Sequence, residues 1–113
     1  MFARRTKKRT SGVTMEIFLY DEYLQDAVLY CLGQIGETAL KVSNDEQEKY
    51  PEVFWNQMIS LRHRVFHDYE ALNLSIVYEI TQEPISQLVL IIEDLLKQYR
   101  RNPMLSVLLT CQL

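Results

Sequence analysis

Between Asp21 and Val42 the apolar residues Leu24, Ala27, Val28, Cys31, Ile35, Ala39 and Val42 recur at steps of three and four. That period lines them along one face of an α-helix of about 22 residues, too long and too regular for a strand. A helix with one apolar face must bury that face against other elements, so this stripe sets the architecture of the chain. Gly33 and Gly36 lie inside it. Each costs roughly 1 kcal/mol relative to alanine in a helix interior. Close approach of a second helix at Gly36 is the expected compensation.

The remaining segments supply the partners. Pro51 suits the first turn of a second helix, whose apolar positions are Trp55, Met58, Ile59, Leu61 and Val65. Ser43-Asn44-Asp45 reads as a set of breakers, and Asp45 to Lys49 as a charged linker. Glu70 to Asn73 reads as a connection, with Asn73 as the N-cap of the next helix. A third helical region spans Leu74 to Arg100, and Pro84 breaks it after a short helix ending near Gln82. Beyond Pro84, Ile85, Leu88, Val89, Ile92, Leu95, Leu96 and Tyr99 hold a helical stripe, which Asn102-Pro103 ends. No alternating strand pattern and no internal repeat appears. With three glycines and three prolines, the chain lacks the turn residues of a β-sandwich.

A length of 113 residues suits one domain. The fold expected is all-α, an antiparallel helical bundle. Its predicted core is Val28, Cys31, Ile35, Ala39, Trp55, Ile59, Leu88, Ile92 and Leu95. Residues 1–15 are read as a flexible basic arm, 16–101 as the helical domain and 102–113 as an apolar tail. The longest uninterrupted apolar run, Ala27 to Leu32, is six residues, against roughly 20 for a membrane span. The basic start is followed by no apolar stretch of signal-peptide length. The reading is therefore cytoplasmic, with no membrane contact and with Cys31 and Cys111 as reduced thiols.

Charge is unevenly placed. Arg4, Arg5, Lys7, Lys8 and Arg9 are five of the twelve basic residues, and from residue 11 onward seven basic side chains face fifteen acidic ones. An acidic body excludes broad non-specific nucleic-acid binding, so any contact with RNA phosphates is local. Two cysteines far apart and two histidines form no metal-ligand spacing, and no cofactor motif appears.

One segment gathers reactive side chains. Arg62, His63, Arg64 and His67 fall within six residues and are followed by Asp68 and Tyr69. Histidine exchanges protons near neutral pH, and arginine holds a phosphate while staying charged. Those are the two services that metal-free phosphodiester cleavage requires. Arg62 and His67 are five apart, about 140° of rotation and about 7.5 Å of rise on an ideal helix. A joint site therefore needs the helix to end or distort near Phe66, or two copies to meet across a two-fold axis.

Arg62-x4-His67-x-Tyr69 resembles the signature of HEPN-domain ribonucleases, and more closely the HepT-like toxins of HepT–MntA toxin–antitoxin pairs. Gln25-Asp26-Ala27-Val28, Ile35-Gly36-Glu37, Tyr50-Pro51-Glu52-Val53, Trp55-x2-Met58-Ile59-x2-Arg62 and Leu74-x-Ile76-Val77-Tyr78 stand in the family's order. The resemblance covers roughly residues 16 to 97. It implies a HEPN-like helical bundle that forms a homodimer and cleaves RNA as an endoribonuclease without metal. His67 would be the proton-transfer residue, Arg62 the phosphate clamp and His63 a site-orienting residue. Tyr69 would accept AMP from a cognate minimal nucleotidyltransferase antitoxin, adding bulk and negative charge beside the cleft. Family members carry a long helix ahead of the segment matching Phe18 to Ala27. Here only about fifteen residues, mostly basic and polar, stand in its place, so the bundle is expected to lack that helix. A helical partner of the nucleotidyltransferase that does not cut RNA is the alternative reading.

Overall fold

A computed structural model describes residues 2–99. Among them there are helices and turns and no strand, as an all-α bundle requires. The order is α1 (Phe2–Thr10), α2 (Met15–Tyr20), α3 (Glu22–Lys41), α4 (Asn44–Glu48), α5 (Trp55–His67), a 3-10 turn (Tyr69–Ala71), α6 (Leu74–Thr81) and α7 (Glu83–Tyr99). No helix among the described residues is long and apolar enough to cross a membrane.

The long amphipathic stripe is α3. It starts at an Asp21 N-cap, whose carboxylate accepts from the Leu24 N–H at 3.0 Å. Val28, Cys31, Ile35 and Ala39 are buried along it. Trp55 from α5 and Leu88 and Ile92 from α7 are buried as expected, and Ile59 packs against the core partly exposed. The side chain of Leu95 and the tail 102–113 lie outside the described residues. Asn73 caps α6 by accepting from the Ser75 and Ile76 N–H groups. The break near Pro84 falls at Gln82, where backbone ψ departs from helical values.

Three expectations need correcting. Residues 2–10 are helix α1 and not a flexible arm. Ala3, Thr6 and Thr10 recur at helical spacing and are buried, leaving the cations outside. The Thr6 and Thr10 hydroxyls donate to the carbonyls four residues back, Phe2 and Thr6, so both enter the apolar interior satisfied. Arg4 donates to Glu93 at 3.0 Å and ties α1 to α7. The chain then leaves α1 through Gly12 at φ +73°, a left-handed position that glycine adopts freely.

The Asp45–Lys49 linker is in fact α4. Ser43 caps it, and Asp45 and Glu46 sit in its first turn, where the helix dipole favours carboxylates. Gln47 donates to the carbonyls of Ala39 and Val42, so α4 closes the end of α3. The third correction concerns α5, which begins at Trp55 rather than near Pro51. Val53 is drawn into the core, and the Trp55 indole N–H donates to the Tyr50 carbonyl at 3.0 Å. Those two anchors hold 50–54 in a turn.

Candidate active site

Helices α3 and α5 run antiparallel in a tight pair. A Cβ built on Gly36 would stand 2.3 Å from Arg62 Cβ and 2.4 Å from the Met58 carbonyl oxygen. At Gly33 the nearest atoms are those of Phe66 and Val65, at 3.3 and 3.4 Å. The bare backbone of α3 is thus the surface on which the last turns of α5 rest. It fixes the base of the Arg62 side chain.

Arg62 lies half-buried against α3, and its Nε donates to Glu37 Oε2 at 2.6 Å. Its guanidinium carbon sits 5.2 Å from the Phe66 ring centroid, one helical turn on. These two contacts hold the planar group from its edge and its face. The bond to Glu37 uses Nε, so the terminal amino groups make no protein hydrogen bond among the described residues. They form the half of the fork that grips a phosphate bidentately.

The two histidines occupy the neighbouring strip. His63 and His67 are one turn apart, with ring centroids 4.6 Å from each other, and both are exposed. Helix α5 stays helical through His67 and gives way only at Asp68, where φ is −129° and ψ 34°. Arg62 and His67 therefore keep the ideal-helix separation expected of residues five apart. The break comes after the histidine and does not bring the two onto one face.

Tyr69 follows in the 3-10 turn, roughly half exposed, and its hydroxyl donates to Asp26 Oδ1 across the gap to α3. That hydrogen bond, partial burial and the negative charges of Asp26 and Glu22 raise the phenol to about 12. It stays protonated throughout the physiological range. Among the described residues, no group of three His, Cys, Asp or Glu side chains is arranged to hold a metal ion.

By residue type Arg62, His63, His67 and Tyr69 stand out in the sequence, whereas Glu37 and Asp26 carry no role there. Their spacing carries the signal. They are eleven residues apart on one helix, about three turns, and so share the strip of α3 that faces the end of α5. One takes the arginine and the other the tyrosine.

Residues 2–95 match the family described as Ribonuclease HepT-like. Among curated proteins, one from Methanocaldococcus jannaschii named "Putative RNase" is 33% identical over 88 residues, which is 78% of this chain and 73% of that protein. A "Probable ribonuclease HepT" of Thermococcus cleftensis is 31% identical over 79 residues, 70% of this chain and 72% of its own length. A "Putative RNase" of Caldanaerobacter subterraneus is 26% identical, with 80% of this chain and 81% of that protein covered. No solved structure matches the chain significantly.

Proposed function

The chain belongs to the Ribonuclease HepT-like family, and we propose that it is a metal-independent endoribonuclease, the toxin of a toxin–antitoxin pair silenced by AMP on Tyr69. The observation that carries this reading is the end of α5. An arginine clamped by Glu37 and Phe66 presents its free amino groups on the strip of α5 next to a close, tilted pair of histidine rings.

Those groups set the chemistry. The 2′-hydroxyl of RNA attacks the adjacent phosphorus as His67 takes its proton. The new P–O2′ bond forms, the P–O5′ bond breaks, and the leaving oxygen regains a proton. Arg62 offsets the charge that builds on the phosphorane oxygens. His63, its ring 4.6 Å from that of His67, orients it. The undistorted helix between Arg62 and His67 favours a site shared by two copies. In a homodimer each chain brings one arginine and one histidine to a common cleft, and a second His67 is available to reprotonate the leaving oxygen. The protein acts in the cytoplasm, where its RNA substrate is. The test is RNA cleavage in EDTA. The purified chain should cut RNA there and leave DNA intact, since DNA lacks the 2′-hydroxyl. Activity that vanishes with EDTA and returns with a divalent cation would overturn the metal-free mechanism.

Silencing rests on Tyr69. A cognate nucleotidyltransferase joins the phenol oxygen to the α-phosphorus of ATP and releases pyrophosphate, and Asp26 is placed to receive the phenolic proton. The bound nucleotide then puts a phosphate two residues from His67, where it repels and blocks an RNA phosphate. Tyr69→Phe keeps the ring and loses the acceptor oxygen. It should cleave RNA like the wild type and stay active after incubation with the nucleotidyltransferase and ATP. Mass spectrometry should find AMP on the wild type and none on Tyr69→Phe. Equal modification of both moves the acceptor to Tyr78 or Tyr50. A wild type that takes AMP yet never cuts RNA is the silent partner instead.

A further inference from the structure

Helix α1 carries five cations and no carboxylate on a chain that is otherwise acidic. Its packing sorts them. With Ala3, Thr6 and Thr10 turned inward, Arg4 and Lys7 fall on the flank toward α7. There Arg4 is held by Glu93, and Lys7 lines a polar groove with Thr10, Gln82 and Glu83. Phe2, Arg5 and Arg9 fall on the other flank, toward α3. The Phe2 ring meets Tyr30 edge-on with centroids 6.0 Å apart, the Arg5 guanidinium lies 5.1 Å from the Phe2 centroid, and Arg9 Nη1 reaches Cys31 Sγ at 3.8 Å. Arg5 and Arg9 make no ion pair among the described residues.

This flank borders the site. Tyr30 is 60% exposed on the ridge of α3 that separates α1 from α5. Within one turn of it on α3 stand Asp26, which holds Tyr69, and Gly33, which touches Phe66. Asp26 and Glu37, the ridge carboxylates nearest the motif, already accept from Tyr69 and Arg62. The ridge is therefore less hostile to a phosphate than its composition implies.

We propose that Arg5, Arg9 and Tyr30 form a single-stranded RNA subsite beside the cleavage motif, the guanidinium groups holding backbone phosphates and the tyrosine stacking a base. The pairing of a cationic track with an exposed aromatic face is how single strands are held without sequence preference. The subsite rests on the ribonuclease reading for its ligand. It also supplies what the motif lacks, since Arg62 is half-neutralised by Glu37 and the rest of the body repels nucleic acid.

The experiment is binding of a labelled single-stranded RNA of about a dozen nucleotides to the full chain carrying His67→Ala, so that nothing is cut, followed by anisotropy over a range of salt. Adding Arg5→Gln and Arg9→Gln should weaken binding about tenfold and flatten log K against log salt by about 1.4, or about 0.7 per lost phosphate contact. Arg5→Lys with Arg9→Lys should keep the slope, which guards against a folding artefact. Tyr30→Ala should weaken binding at least fivefold with the slope unchanged. Lys7→Gln, on the opposite flank, should change neither. Unchanged affinity and slope in the glutamine pair would overturn the subsite. So would an equal loss in Lys7→Gln, no RNA binding at all, or a shift in sedimentation with RNA affinity intact, which would assign the flank to a second copy. A chain that binds RNA through Arg5 and Arg9 but cuts none removes the ribonuclease reading alone.

Discussion

His67→Ala should abolish RNA cleavage while leaving the fold intact. His67 is exposed at the last position of α5, and among the described residues its close aromatic neighbour is His63, also exposed. Removing it opens no cavity and strands no buried partner, so thermal unfolding should move little. Its loss deletes the proposed proton acceptor for the attacking hydroxyl, and the other imidazole of the chain is that of His63, one turn back. Arg62→Ala should lower the rate by about 10²-fold or more, the usual consequence of losing a charge partner in the transition state. It also frees Glu37, which puts an unmatched carboxylate where a phosphate must enter. Initial rates on a defined RNA, with unfolding curves for each variant, check both. Mixing the two impaired variants tests the shared cleft directly. In the proposed homodimer a mixed pair would bring one intact Arg62 and one intact His67 to the shared cleft, so cleavage should reappear. Absence of rescue would put both residues of a working site on one chain. Cleavage by His67→Ala at the wild-type rate would remove the mechanism altogether.

The parts of this site that the sequence disclosed are those with a local signature. The α3 stripe repeats over five turns, and Asn73 and Pro84 are punctuation with a backbone mechanism, so they were legible. Gly36 was legible for a different reason. A costly residue in a helix interior demands a compensating contact, and that contact is the Met58–Arg62 segment of α5. What stayed hidden was decided by tertiary contact. The basic start reads as a solvated run because charge is visible in the sequence. The small buried side chains Ala3, Thr6 and Thr10 carry little hydropathy signal and declare the helix only once α3 and α7 receive them. Asp26 and Glu37 stand in segments that carry the family resemblance, but the sequence alone gives them no role. Their meaning depends on Tyr69 and Arg62, more than twenty residues away on another element.

The second large effect lies away from the reacting groups. Gly36→Ala should destabilise the protein and cripple the site together, whereas Gly33→Ala should do neither. Both substitutions gain about 1 kcal/mol of helix propensity, so any difference between them reports the contact with α5. At Gly33 the new methyl would meet Phe66 and Val65 side-chain atoms at 3.3 and 3.4 Å, and the half-exposed Phe66 ring can yield a few tenths of an ångström. At Gly36 it would meet Arg62 Cβ and the Met58 carbonyl at 2.3 and 2.4 Å. Neither of these can swing aside, because both belong to the backbone of α5 or to its first side-chain atom. The helices must part. Overpacking of this kind costs typically 1–3 kcal/mol and occasionally more, and a backbone collision sits at the upper end, so a net loss near 2 kcal/mol remains after the propensity gain. In a domain of this size that lowers Tm by roughly 10 °C. Activity should fall further than stability explains. Parting α3 from α5 pulls Arg62 off Glu37 and carries the helix end with it, and displacements of about 1 Å at a reacting centre cost up to about 10²-fold in rate. The check is cleavage measured well below the variant's own Tm, where the chain is fully folded. A Gly36→Ala protein that melts and cuts like Gly33→Ala would mean that the close α3–α5 contact does not set the position of Arg62.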